Sequence, residues 1–315
     1  MKTSGGELKL KGRGRGYALR RELQYYRYIY LMALPVAAYY IIFNYVPMVG
    51  LIIAFQNFKP TLGYFASKWV GLSNFIRFFT SPFAWRVIRN TLLLNVYDII
   101  FGFPAPIILA LLLNEVHGSK FKRTVQTFTY IPHFISLVVI CSMIIEFSTT
   151  TGLFNDILAF FGADRNNILV SNRTFRTVFV ATGIWQQVGW GSIIYLATLS
   201  GIDPALYEAA RIDGAGRLKQ MLHVTLPSLQ PTILVLFILR MGNIMSQGFE
   251  KIILLYSPLT YETADVISSY VYRMGLQQQD FSYGAAVGFF NSVINFTILI
   301  LANRMSRKAT GDSLW

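Results

Sequence analysis

The chain predicts an all-α, polytopic membrane protein, and three observations carry that fold class. Of its 315 residues, 54% are hydrophobic and only 14% charged, whereas a soluble domain carries about 25% charged residues. Six apolar runs are each long enough to cross a bilayer, for which about 20 residues suffice. The formal net charge is +13, yet the basic residues build no single face. They sit in tails and short loops between the apolar runs, as the positive-inside rule expects. That distribution points to membrane lipid as a partner and away from nucleic acid.

Residues 1–27 read as a basic tail, with eight Lys and Arg side chains. The run at 28–55 is too long for a cleavable signal core and lacks a small-residue cleavage site, so it reads as the first span. Residues 57–89 leave the bilayer, and Trp69 and Trp85 suggest short helices at the headgroup level. The second span, 91–114, contains Pro104 and Pro106, which should kink it and oblige neighbouring helices to satisfy its backbone. A short basic loop with Lys120, Lys122 and Arg123 leads to the third span, 124–145, which holds Pro132, His133 and the only cysteine, Cys141. The fourth span, 177–202, carries Gln186, Gln187, Gly189 and Gly191 at its middle. Small residues there allow close helix approach, and the amides can hydrogen-bond across. The fifth and sixth spans fall at 229–249 and 281–303, within a permease domain of 28–303. A tail at 304–315 begins with Arg304, Arg307 and Lys308. The basic residues of both tails, of the loop near 120 and of the 203–227 loop place all four segments in the cytoplasm.

The 203–227 segment is a polar island between the fourth and fifth spans. Asp203 can cap a helix opening at Pro204, where a missing N–H costs nothing. Gly214 can end it in the left-handed conformation that glycine adopts cheaply. A second short helix, 217–223, would follow before Pro227 returns the chain to the bilayer. A helix–Gly–helix of this kind is shaped to dock into another protein.

Glu208-Ala209-Ala210, then Gly214, then Val224-Thr225-Leu226-Pro227 resembles the loop signature of ATP-binding-cassette importer permeases, with Val224 where isoleucine is usual. The stretches Trp69–Phe75 and Val125–Ser136 are similar to the carbohydrate type of that family. Met241-Gly242-Asn243 and Gly248-Phe249-Glu250-Lys251-Ile252 resemble the Lpl-type subgroup, associated with polysaccharide fragments and uronide oligomers. The resemblance implies a type I importer permease fold of about six transmembrane helices with a cytoplasmic coupling helix, set in the cell membrane. It also implies a second permease subunit forming a heterodimer with this chain, a dimer of ATPases and an extracytoplasmic binding protein that delivers a sugar. Glu208 would meet a basic residue on the ATPase, flanked by Ala209, Ala210, Arg211, Asp213 and Gly214. The chain has no phosphate-binding Gly-x-x-x-x-Gly-Lys loop, so ATP and Mg are expected on partner subunits and no cofactor on this chain.

Arg240 falls about 17 Å into a hydrocarbon core about 30 Å thick, where a guanidinium must face a partner or a wet cavity. On a continuous helix, Asn243 and Gln247 would share its face. These three then read as a substrate path suited to a sugar, with the arginine able to grip a uronate carboxylate. A structural pair with Asp98 is the competing reading, because Asp98 stands only about 7 Å higher in the second span. The three histidines, His117, His133 and His223, are scattered, and no carboxylate lies at ligand spacing from them. Neither a catalytic constellation nor a metal site is expected. His133 reads as a satisfied, buried ring. A different solute for the same fold, or a self-sufficient secondary transporter, remains as an alternative function. The second of these leaves the signature loop unexplained.

Overall fold

The computed structural model describes residues 25–246 and 248–310. Among the described residues, four helices are long and apolar enough to cross a membrane: Arg27–Phe55, Ala84–Glu115, Arg217–Gly242 and Phe281–Lys308. A fifth crossing exists if Ser119–Phe134 and Leu137–Phe147 count together, although they meet at 99°. The break in the expected third span falls just past Pro132, where Ile135 and Ser136 take extended backbone conformations (ψ 134° and 138°) between the two helices. The remaining expected crossing, the fourth, is the 26-residue helix Phe175–Ser200. It has the length but not the apolarity, because Gln186, Gln187 and two glycines occupy its middle. It is nevertheless held among other helices. Gly189 meets the backbone of Thr129 and Gly191 meets the ring of Pro106, so a methyl group at either site would clash.

Three of the long helices contain a wide, π-type turn, at Ile41–Tyr45, Asp98–Gly102 and Met221–Thr225. Each ends two residues before a proline: Pro47, Pro104 and Pro227. Widening the turn relieves the clash between the proline ring and the preceding carbonyl, so the helix passes through instead of kinking sharply. The consequence is largest at Pro227. The expected short helix of 217–223 is not separate, and one helix runs unbroken over the 26 residues from Arg217 to Gly242.

The first span stands apart, with none of its most apolar window buried. It joins the bundle only through its far end. There Gln56–Asn57 pairs antiparallel with Lys68–Trp69, Phe55 stacks on Trp69 with centroids 5.7 Å apart, and Asn74 donates to the carbonyls of Ala54 and Gln56. The principal core lies between the starts of the second and sixth spans, around Phe78, Val87, Met241, Ile267, Tyr270 and Tyr283.

At the same end a polar hub fastens three elements. Asp265 has no exposed surface and accepts two hydrogen bonds from Arg273, of 3.1 and 2.5 Å. Ser269 donates to it, and Arg86 lies 3.6 Å away. Burial alone would lower the Arg273 guanidinium, but hydrogen bonding and charge from Asp265 hold it above its ordinary value. Beside it, Arg176 donates to the Asn90 side chain, which in turn donates to the carbonyls of Glu262 and Asp265. Replacing Asp265 by alanine strands Arg273 at a mostly buried site and leaves Arg86 only its 3.9 Å contact with Glu262. We expect a loss of about 3–5 kcal/mol, visible as a lowered unfolding temperature of the detergent-solubilised protein. A change of under about 0.5 kcal/mol, the ordinary effect of a surface substitution, would refute the hub.

Candidate functional site

Two regions hold the residues that the sequence singles out. The first is the helical hairpin between the fourth and fifth spans. Its helix, Pro204–Ile212, opens as expected, with the Asp203 carboxylate accepting from the Ala205 N–H at 2.9 Å. It closes on Gly214 at φ 75°. The Gly214 N–H bonds to the Arg211 carbonyl at 3.0 Å and the Ala215 N–H to the Ala210 carbonyl at 2.9 Å, a pair of bonds that satisfies the last carbonyls of the helix. Tyr207 and Thr225 bond through their hydroxyls at 3.0 Å, and the Gln220 amide donates to the Ala215 carbonyl at 2.7 Å. These contacts pin the helix against the start of the long Arg217–Gly242 helix.

Glu208, Arg211 and Asp213 are exposed on this hairpin, and among the described residues none of the three has an ion-pair partner. The sequence reading passed over its apolar surface. Leu206, Ile212 and Leu218 are 51%, 87% and 65% exposed. Apolar side chains on a segment projecting from a membrane bundle have neither lipid nor core to cover them, so they suit contact with a protein. The signal was available as apolar residues inside an otherwise polar island.

The second region is a cavity of about 680 Å³ inside the bundle, within the usual range of ligand pockets. Asn95, Asp98 and Gly102 of the second span line it, with Gln186, Gln187 and Trp190 of the fourth. Arg240, Ser246, Glu250 and Lys251 complete its polar wall. Arg240 is paired with Asp98: its Nε donates to Oδ2 at 2.9 Å, and Nη2 contacts both carboxylate oxygens. Each side chain is 30% exposed. The wide turn that begins at Asp98 sets up the pair, and Gly102 leaves room for it. A Cβ at Gly102 would lie 2.5 Å from a carboxylate oxygen of Asp98, a clash, and 3.8 Å from the guanidinium.

The other two expected path residues are placed differently. The helix ends at Gly242, so Asn243 is its cap and does not continue the face of Arg240. Asn243 is exposed and lies outside the cavity lining, while Ser246 falls within it. Gln247 lies outside the described residues. The cause of the break is Asn295 of the sixth span, whose amide donates to the Gly242 carbonyl and accepts from the Met245 N–H at 3.2 Å. A side chain that satisfies freed backbone groups lets a helix stop inside a bundle. Near the cavity, His133 is half-buried, not fully buried, and is satisfied by Gln187 at 3.1 Å and by stacking on Trp190 at 4.4 Å.

Comparison with known proteins gives a consistent set of relatives. Residues 78–311 match the family described as "Binding-protein-dependent transport system inner membrane component". The chain is 46% identical to the polygalacturonan/rhamnogalacturonan transport system permease protein YteP of Bacillus subtilis (strain 168), covering 92% of this chain and 90% of that one. It is 41% identical to protein LplB of the same strain, covering 96% and 95%. A bacterial ABC transporter involved in the import of the acidic polysaccharide alginate is similar in structure, with TM-score 0.86 and 42% identity over 93% of this chain and 99% of that one. The alginate transporter in complex with an alginate pentasaccharide-bound periplasmic protein gives TM-score 0.87 and 41% identity over the same shares.

The Asp98–Arg240 pair makes a sharp expectation. Asp98→Asn or Arg240→Gln alone strands a charge in the membrane interior, which destabilises by about 3–5 kcal/mol. The double variant strands none and should recover most of that loss. Thermal unfolding of the three variants in detergent measures the coupling, and purely additive losses would show that the contact does not join the spans energetically.

Proposed function

The chain belongs to the family of binding-protein-dependent transport system inner membrane components, and from that membership we propose that it is the permease of an ATP-driven oligosaccharide importer. The observation that carries the reading is the pinned hairpin, with Glu208 unpaired and an apolar surface around it, at one end of a bundle that encloses a polar cavity. Such a hairpin suits contact with an ATPase, on which ATP and Mg would be bound and hydrolysed. In this reading the hairpin and both termini face the cytoplasm, and the hub around Asp265 faces an extracytoplasmic binding protein. A second permease subunit would cover the first span, whose apolar surface finds no cover among the described residues.

Two things support a sugar as the solute. The cavity presents amides, a hydroxyl and an indole, the groups that hydrogen-bond sugar hydroxyls and pack on the apolar face of a ring. The relatives named above carry polygalacturonan, rhamnogalacturonan and alginate in their descriptions, and two of these are polymers of acidic sugars. An acidic oligosaccharide is therefore the substrate class proposed. Arg240, Asn243 and Gln247 remain the path residues of the sequence reading. Arg240 lines the cavity, but Asp98 already occupies its guanidinium, so it stands in the path as a tied wall group and not as a ligand of the solute.

Transport would follow by alternating access, the spans rocking about the cavity as the ATPases close on the hairpin. Glu208→Ala in the assembled complex should leave subunit pairing intact and reduce binding-protein-stimulated ATP hydrolysis by about tenfold or more, as expected when one partner of an interfacial charge pair is lost. Normal stimulated hydrolysis and uptake would overturn the coupling role. Orientation has its own measurement. With Cys141→Ser as background, Lys219→Cys should react with a membrane-impermeant thiol reagent in inside-out vesicles. Labelling in intact cells would reverse the assignment.

A further inference from the structure

The cavity wall holds two cations, and they are in opposite states. Arg240 is neutralised by Asp98 through a bidentate contact. Lys251 is 6% exposed, and among the described residues no carboxylate pairs with it. Its Nζ donates to the Phe179 carbonyl at 2.9 Å and to the Thr182 hydroxyl at 2.8 Å, and it stands 4.9 Å from the centroid of the Phe179 ring. All of these partners are neutral. An ammonium group has three donors, and no described protein acceptor takes the third.

The backbone is arranged to put the ammonium there. Gly248, at φ 76°, turns the chain after the break at Gly242 into the helix Phe249–Leu255. A side chain at Gly248 would strike the Phe179 ring, its Cβ falling 2.8 Å away. The turn therefore seats Lys251 beneath Phe179. Across from it Gly183 also lines the cavity, and a Cβ there would stand 3.5 Å from Nζ. Glycine at that position leaves the ammonium open to the cavity. Glu250 lies on the same wall, but it is exposed and forms no ion pair with Lys251.

A buried charge without a counter-ion costs several kcal/mol, so a cavity that retains one is set up for an anion. Depth agrees with that role. Thr182 lies seven residues into the fourth span from Phe175, about 10 Å from the end opposite the hairpin. Asp98 lies fourteen residues into the second span from Ala84, about 21 Å from the same end. A solute entering from that end meets the unpaired cation before the paired one.

We propose that Lys251 is the carboxylate-binding residue of the cavity, selecting oligosaccharides that bear uronate groups, and that Asp98 keeps Arg240 out of substrate binding. The inference rests on the oligosaccharide reading above and specifies the charge it must carry. A lysine suits a chain with a carboxylate on successive rings. It is a point charge with rotatable donors and makes fewer angular demands than the planar fork of arginine, so one carboxylate can replace the next.

The test uses the complete complex in proteoliposomes, with trigalacturonate and its carboxyl-reduced, neutral counterpart as probes. Lys251→Met keeps the buried stem and removes the charge. It should lower uptake of the acidic sugar about tenfold, corresponding to about 1.4 kcal/mol, while uptake of the neutral sugar stays within about twofold. The binding protein is the same in every arm, so a changed ratio belongs to the permease. A second pair guards against misfolding of the first variant. Gly183→Asp places a carboxylate beside an intact Lys251 and should abolish acidic uptake, whereas Gly183→Asn should retain it. Equal loss of both sugars in Lys251→Met with normal assembly, or equal acidic uptake in the two Gly183 variants, overturns the assignment. Wild-type complex that imports neither sugar instead overturns the oligosaccharide reading from which it starts.

Discussion

A charge inside a bilayer must find a partner, and the Asp98–Arg240 pair is where this chain meets that demand most directly. Much of the local architecture follows from it. Pro104 sits where an ordinary helical turn would clash, so the second span widens over Asp98–Gly102. Asp98 begins that turn, and Gly102, without a side chain, leaves the carboxylate room to reach Arg240. The pair then ties the second span to the fifth across the cavity. A guanidinium held by two carboxylate contacts has few donors left for a solute. The cavity is thereby divided into a tied middle and an untied region around Lys251.

The same economy governs the uncharged groups. Where helices need to stop or bend inside the bundle, a neighbouring side chain takes up the freed backbone. Asn295 does so for the end at Gly242, and Asn90 does so for the carbonyls of Glu262 and Asp265. Where helices need to touch, glycine removes the obstacle, as at Gly189 against Thr129. Few of the polar residues inside the bundle are idle. Buried Asn, Gln, Ser and Thr act here as connectors, which is how polar side chains earn their place in lipid.

The sequence made some of this architecture legible and hid the rest. Local rules sufficed for the hairpin. Asp203, Pro204 and Gly214 each have one inexpensive use at a helix end, and the structure gives each that use. Apolar length sufficed for most of the spans. What stayed hidden depended on contacts distant in the chain. The end of the fifth helix depends on Asn295, fifty residues later, so counting helical steps from Arg240 to Asn243 extended a helix that had stopped. Whether Asp98 or a solute would hold Arg240 could not be read from heights alone. Lys251 stood in the sequence only as part of the Gly248–Ile252 resemblance, because nothing local to it reveals that Phe179 and Thr182 close over it.

These breaks and continuities also determine how motion would pass through the molecule. The helix Arg217–Gly242 runs from the hairpin to the cavity, and 26 residues span about 38 Å. Its wide turn at Met221–Thr225 keeps the helix hydrogen-bonded past Pro227, and the helix continues through Pro231 to Gly242. Under the coupling role proposed for the hairpin, a displacement there reaches Arg240 as the motion of a rod. Asp98 is drawn with it or released. At Gly242 the rod ends, and Lys251 belongs to a separate helix seated on the far half of the fourth span. The two cations of the cavity are therefore carried by separate helices. The fourth span runs into the hairpin at its other end, so under the same role a hairpin movement reaches the Phe179 seat along one helix and Arg240 along another, and the spacing of the two charged stations depends on how far each helix carries it.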